Sequence, residues 1–119
     1  MKFSESLKKN RDFRTVYLKG RSRADKVLAM YAMENGTKRN RLGISVSKKV
    51  GNSVVRHRIA RLVRENYRLN EENYTRGTDI IVVGRFRARE ADFHTIGKSM
   101  RSMAAGLGIY NEKEDQQVF

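Results

Sequence analysis

Between Ser53 and Asn70 the sequence carries a helical period on two faces at once, and that segment constrains everything around it. At roughly 100° per residue, Val55, Ile59, Leu62, Val63 and Asn66 fall on one arc, and His57, Arg61, Arg64 and Arg68 on the opposite one. The apolar arc must be covered by other elements, while the cationic arc must stay outside them. Gly51 and Asn52 break the chain just before it, and an asparagine there suits the helix N-cap.

The cover comes from strands. Val27 to Met33 reads as one strand, Glu34 to Asn40 as a turn-forming loop, and Arg41 to Ser47 as a second strand close enough for an antiparallel hairpin. In the second strand Leu42, Ile44 and Val46 alternate with Arg41, Gly43, Ser45 and Ser47, so one face is buried and the other is small, polar and open. The β-branched run Asp79 to Gly84 suits a central strand. Upstream, Asn10 can cap a helix reaching Lys19, with Phe13, Val16 and Tyr17 on one face and Gly20 as the stop. Downstream, Phe93, Ile96, Met100, Met103 and Leu107 recur at helical spacing over about Ala91 to Leu107, and Gly106 or Gly108 can end that helix.

The expected fold is therefore a single-domain α+β sandwich in the order α-β-β-α-β-α. With 119 residues and 39% hydrophobic content there is apolar surface for one core. It should occupy residues 1–110, and the polar stretch 111–119 should be a disordered tail.

Charge narrows the function. Lysine and arginine number 26 against 13 acids, a net of +13, and 16 of the cations are arginine, the side chain best shaped for forked phosphate contacts. Between Lys38 and Arg68 ten cations face a single acid, Glu65. Like charges at i, i+4 repel by a few tenths of a kcal/mol, so a solvated face is a poorer account of this stripe than a polyanionic partner. Arg56 and Arg58 flank the start of the helix, where the macrodipole and free amides already favour phosphate. A second surface is the open sheet face, where Phe13, Tyr17 and Tyr31 beside Ser45 and Ser47 could stack single-stranded bases. The same Phe13 and Tyr17 at i, i+4 would equally anchor an amphipathic helix in any domain.

Other classes are disfavoured. No stretch approaches the roughly 20 apolar residues of a membrane span and the first residues lack an apolar signal region, so the expected location is cytoplasmic. There is no cysteine, and His57 and His94 are too distant in sequence for a paired metal motif. The acids form no cluster suited to two-metal nuclease chemistry. The glycines form neither a dinucleotide nor a phosphate-loop motif. No small-molecule substrate is indicated.

The run Leu42-Gly-Ile-Ser-Val-Ser-Lys-Lys-Val-Gly-Asn-Ser-Val-Val-Arg-His-Arg-Ile-Ala-Arg-Leu-Val-Arg-Glu65 resembles the signature of the bacterial ribonuclease P protein subunit. Upstream, Leu7-Lys-Lys-Asn-Arg-Asp-Phe13 with Val16, Tyr17 and Gly20 also fits, so the likeness runs from about Leu7 to Leu107. It implies a ribosomal protein S5 domain 2-like fold with a left-handed βαβ crossover, a handedness that general connection rules would not suggest. It also implies partnership with a large catalytic RNA that removes 5′ leaders from precursor tRNA, with Mg²⁺ bound mainly by the RNA and no catalytic residue on the protein. Under that likeness the surface for the catalytic RNA is Lys48, Arg56, Arg58, Arg61, Arg64 and Arg68, and the leader site is Phe13, Tyr17, Tyr31, Ser45, Ser47 and Lys49. Two positions depart from the family pattern: His57 stands where asparagine is usual, and Ala60 where lysine is common. The competing readings are a basic ribosomal or other structural RNA-binding protein, a protein-only nuclease and a general RNA chaperone.

Overall fold

The computed structural model describes residues 1–111. In chain order the elements are β1 (Ser4–Ser6), α1 (Asn10–Lys19), β2 (Arg21–Ala24), β3 (Leu28–Glu34), β4 (Asn40–Val46), α2 (Ser53–Leu69), β5 (Thr78–Gly84) and α3 (Phe93–Gly106), with 3-10 turns at Glu71–Asn73 and Phe86–Glu90. The strands form one mixed sheet in the order β1-β4-β5-β3-β2. On one face Leu28, Met30, Ala32, Leu42, Ile80 and Val82 pack with Ile59, Val63 and Tyr67 of α2 and Ile96, Met100 and Met103 of α3. On the other, Leu7, Val16 and Ile81 form a smaller core edged by Phe13, Tyr31, Met33 and Val83. That second face is therefore partly roofed by α1 instead of lying open.

The hairpin expected from the short loop does not form. β5 lies between its two strands, antiparallel to β3 and parallel to β4. The physical reason is burial: Thr78 to Val82 are all buried, and a strand this apolar gains most where both edges and both faces are covered. The loop between β3 and β4 must then step over the start of β5. Gly77 permits the crossing, because it sits at φ 82° and a Cβ there would lie 2.4 Å from the Thr37 carbonyl oxygen.

Other boundaries shift with clear causes. Lys9, not Asn10, caps α1, and its carbonyl accepts the amides of Asp12 and Phe13 at 3.0 and 3.1 Å. Val27 precedes β3 and packs on the α2–α3 side, away from Tyr31 and Met33. Two strands, β1 and β2, were not expected at all: β1 is three residues of Ser-Glu-Ser, and β2 is exposed along its length. Both are edge strands, which need no buried alternation to form. The Asn52 side chain caps α2 as expected, accepting the Val55 amide at 3.0 Å. Asn111 donates its amide to the Asn73 carbonyl at 2.9 Å, and the rest of the expected tail lies outside the described residues.

A buried polar cluster pins the layers together. Asn40 accepts the Thr78 amide at 2.9 Å and donates to the Tyr67 hydroxyl at 3.1 Å, which also meets the Ser4 hydroxyl at 2.8 Å. Glu71 completes it by accepting the Lys2 and Phe3 amides at 2.8 and 3.1 Å. Burial works to raise the Glu71 carboxyl, but the Ser4 hydroxyl, these two amides and the N-terminal ammonium outweigh it and hold it below its ordinary 4.5. A depressed folded value stabilises the protein fully above about pH 4.5 and loses that contribution as pH falls through the folded value. The melting temperature is thus expected to drop by a few degrees on acidification below pH 4.5, and Glu71→Gln should flatten that drop while lowering the neutral-pH melt. An acid slope unchanged by the substitution would remove Glu71 as its source.

Candidate nucleic-acid interface

Along α1 the residues Asn10, Phe13, Arg14 and Tyr17 follow an i, i+3, i+4, i+7 spacing and so share a face. With Leu7, Lys8, Ile44 and Ser45 they line a groove of about 690 Å³, wide open to solvent. Phe13 reaches the sheet because Gly43 has no side chain: a Cβ there would lie 2.6 Å from the Phe13 ring. Its ring is 6.3 Å from that of Tyr17, which meets Tyr31 edge-on at 4.8 Å, a favourable arrangement for aromatic pairs. Three aromatics thus run in a row across α1 and β3.

An ion-pair clamp sets the helix in place. Arg41 grips Asp79 through two bonds, at 2.9 and 2.6 Å, and reaches Asp12 of α1 at 3.3 Å. Asp79 is buried and is held a second time by Asn35 at 2.8 Å. The hydrogen bonds to Asp79 raise the Arg41 guanidinium above its ordinary value, against a smaller opposing effect of burial.

The structure brings Phe13, Tyr17, Tyr31 and Ser45 together as the sequence led one to expect. Ser47 and Lys49 lie beyond the end of β4, in a turn closed by the Val50 amide on the Ser47 carbonyl at 3.0 Å, and both are exposed. Lys8, Asn10 and Arg14 belong to the groove but were missed. Asn10 and Arg14 share the helical spacing of Phe13 and Tyr17, whereas Lys8 precedes α1 and carries no such signal.

On the opposite side of the sheet, the cations of α2 divide by what they touch. Arg58 donates to the Ala91 carbonyl at 2.5 Å and the Arg89 carbonyl at 3.4 Å, so it ties α2 to the segment before α3. Arg56 donates to the Gly51 carbonyl at 3.2 Å, and Arg68 pairs with Glu65 one turn back. Arg61, Arg64 and Lys48 are exposed, and among the described residues none forms a salt bridge. Of the six cations expected to face the catalytic RNA, those three are the most available to phosphate. Arg39 and Arg41, which also contribute to the charge-rich stretch, are paired with Glu5 and with Asp12 and Asp79.

The two surfaces meet at the β1–α1 connection. Arg64 lines a hollow with Leu7, Lys8 and Ile44, and the same three residues line the aromatic groove. A polyanion on α2 and a single strand on α1 would therefore come together over Lys8. A mixed α+β sheet carrying a cationic helix on one face and an aromatic groove on the other defines a small, basic RNA-binding protein.

Residues 1–108 match the Ribonuclease P family model, and the chain belongs to the ribonuclease P protein family, whose work is tRNA processing within a ribonucleoprotein nuclease. It is 50% identical over 111 residues to the ribonuclease P protein component of Lachnoclostridium phytofermentans, covering 93% of this chain and 96% of that one. To the component from Caldanaerobacter subterraneus it is 44% identical over 108 residues, 91% and 93% of the two chains. Among solved structures, the Staphylococcus aureus RNase P protein aligns with a TM-score of 0.82 at 35% identity over 92% of this chain and 98% of that one. The Thermotoga maritima RNase P protein aligns with a TM-score of 0.74 at 31% identity over 80% and 90%.

Proposed function

We propose that this chain docks on the ribonuclease P catalytic RNA through α2 and holds the 5′ leader of a precursor tRNA in the groove between α1 and β4. The RNA carries out the endonucleolytic step, and the protein supplies affinity and position. The observation that supports this best is the shared lining of the two surfaces by Leu7, Lys8 and Ile44, which lets a leader pass from the aromatic row toward the RNA on α2. Bases would stack on Phe13, Tyr17 and Tyr31, while Ser45, Ser47 and Lys49 take polar and phosphate contacts at the end of β4. Lys48, Arg56, Arg58, Arg61, Arg64 and Arg68 form the side facing the catalytic RNA, with Arg61, Arg64 and Lys48 the most available.

Mg²⁺ belongs to the RNA in this reading. Among the described residues no three of His, Cys, Asp and Glu gather into a group able to hold a metal ion, and no step is routed through the protein's own carboxylates. The work takes place in the cytoplasm, where bacterial precursor tRNA is made. The decisive experiment mixes the protein with a bacterial ribonuclease P RNA and a precursor tRNA at low Mg²⁺. Faster release of an intact 5′ leader supports the reading, whereas no effect on the RNA, or accurate cleavage by protein alone, overturns it.

The groove has its own test. Tyr17 is 38% exposed, so truncating it should disturb the fold less than truncating the half-buried Phe13. Tyr17→Ala is expected to weaken binding of precursor tRNA bearing a leader of several nucleotides by about 1–3 kcal/mol, and to leave binding of mature tRNA nearly unchanged. If a normally melting variant keeps the full preference for leader-bearing tRNA, the aromatic row is not the leader site.

A further inference from the structure

We infer that Phe86 and its flanking arginines form a second nucleotide-binding site, which stacks an unpaired base of the catalytic RNA. The inference rests on the docking role of α2 proposed above. Past β5 the chain reads Arg85-Phe-Arg-Ala-Arg-Glu90 and turns into the 3-10 segment Phe86–Glu90. Ala88 is completely buried and anchors the segment, while Arg85, Phe86, Arg87 and Arg89 are all exposed. Phe86 is 60% exposed, more than any other phenylalanine or tyrosine among the described residues.

One exposed phenylalanine is ordinary on a protein surface. This one is held in a cationic frame. The Arg89 guanidinium carbon lies 4.9 Å from the ring centroid, within cation–π range. Arg85 donates to the Asp25 carbonyl at 2.5 Å and so fixes the start of the segment, and Arg87 carries no hydrogen bond or salt bridge from its side chain among the described residues. Glu90 is the one acid in the stretch, exposed and outside any salt bridge described. An exposed ring with arginines on both sides in sequence is what a nucleotide needs: a π surface for the base and forked cations for the phosphates beside it.

The position selects the occupant. Arg58 of α2 bonds the carbonyls of Arg89 and Ala91, so the Phe86 segment lies against the start of the cationic helix. The leader groove belongs to α1, on the other face of the sheet. An RNA seated on α2 reaches the Phe86 segment across Arg58, whereas the aromatic row of α1 lies on the other face of the sheet.

The test measures binding of a bacterial ribonuclease P RNA transcript to the full chain across a salt series, with Arg61→Ala as a reference variant. Phe86→Ala should weaken affinity at least about fivefold without changing the salt slope, because stacking releases no counterions, and Phe86→Tyr should restore it. Arg87→Ala should lower the slope by about one phosphate contact. A folded Phe86→Ala variant of normal affinity, alongside a weakened Arg61→Ala, would overturn this site and leave the role of α2 intact. Loss confined to precursor tRNA binding would overturn the assigned occupant. Failure of the unaltered protein to bind the transcript would instead refute the docking role itself.

Discussion

Replacing Arg41 by alanine is expected to destabilise the fold by about 3 kcal/mol, since it strips a buried carboxylate of its main partner and leaves that charge uncompensated. Asp79 would keep only the Asn35 amide, and α1 would lose its link to β4 through Asp12. For a domain of this size the melting temperature should fall on the order of 10 °C. Removing both charges together, as Arg41→Met with Asp79→Leu, should cost less than the single change, because no buried charge is then left unpaired. A single variant within about 1 kcal/mol of wild type would show that the clamp holds little. The single variant should also lose leader discrimination, for the clamp sets where α1 stands over the sheet.

The second large effect is expected on α2. Arg61→Ala with Arg64→Ala should lower affinity for the catalytic RNA roughly ten- to a hundredfold and reduce the salt slope by about 1.5, the contribution of two phosphate contacts. Both side chains are exposed and carry no salt bridge, so the melt should stay near wild type. Arg58 is a poor choice for this experiment. Its bonds to Ala91 and Arg89 mean that truncating it loosens the approach to α3 as well as removing charge. Unaltered affinity and slope in the folded double variant would reduce the stripe to a solvated face.

The contrast between Arg58 and Arg61 shows where the sequence was readable. Helical periodicity separated the apolar arc of α2 from its cationic arc, since both depend only on local geometry, and the Asn52 cap followed from chemistry within one turn. Which arginine of α2 is engaged with distant carbonyls depends on residues 31 and 33 positions away, and local pattern carries no trace of that. Strand pairing failed for a related reason. The loop after β3 is short enough for a hairpin, and only the competition of β5 for the central place, with Gly77 opening the crossing, decides against it. Arg21–Ala24 escaped because an edge strand with no buried face leaves no alternation to detect, and Ser4–Ser6 because its one buried residue is a serine in a three-residue strand, too short and too polar to show a period. The aromatic row of the groove was visible as residue types, and its placement came from Gly43, whose missing side chain is what lets Phe13 approach.

The central place of β5 has a consequence during synthesis. β3 and β4 are neighbours in sequence, yet neither touches the other in the finished sheet, and each waits for a strand that ends at Gly84. Until that strand has emerged from the ribosome, the growing chain holds two unpaired apolar edges and a helix that already displays its arginines. Folding is bound to be governed by these late, non-local pairings, which makes it slow for a domain of this length. A nascent chain stopped before Thr78 should therefore behave as a cationic, RNA-adhesive and aggregation-prone intermediate, and one extended past Gly84 should be the first able to form the closed sheet.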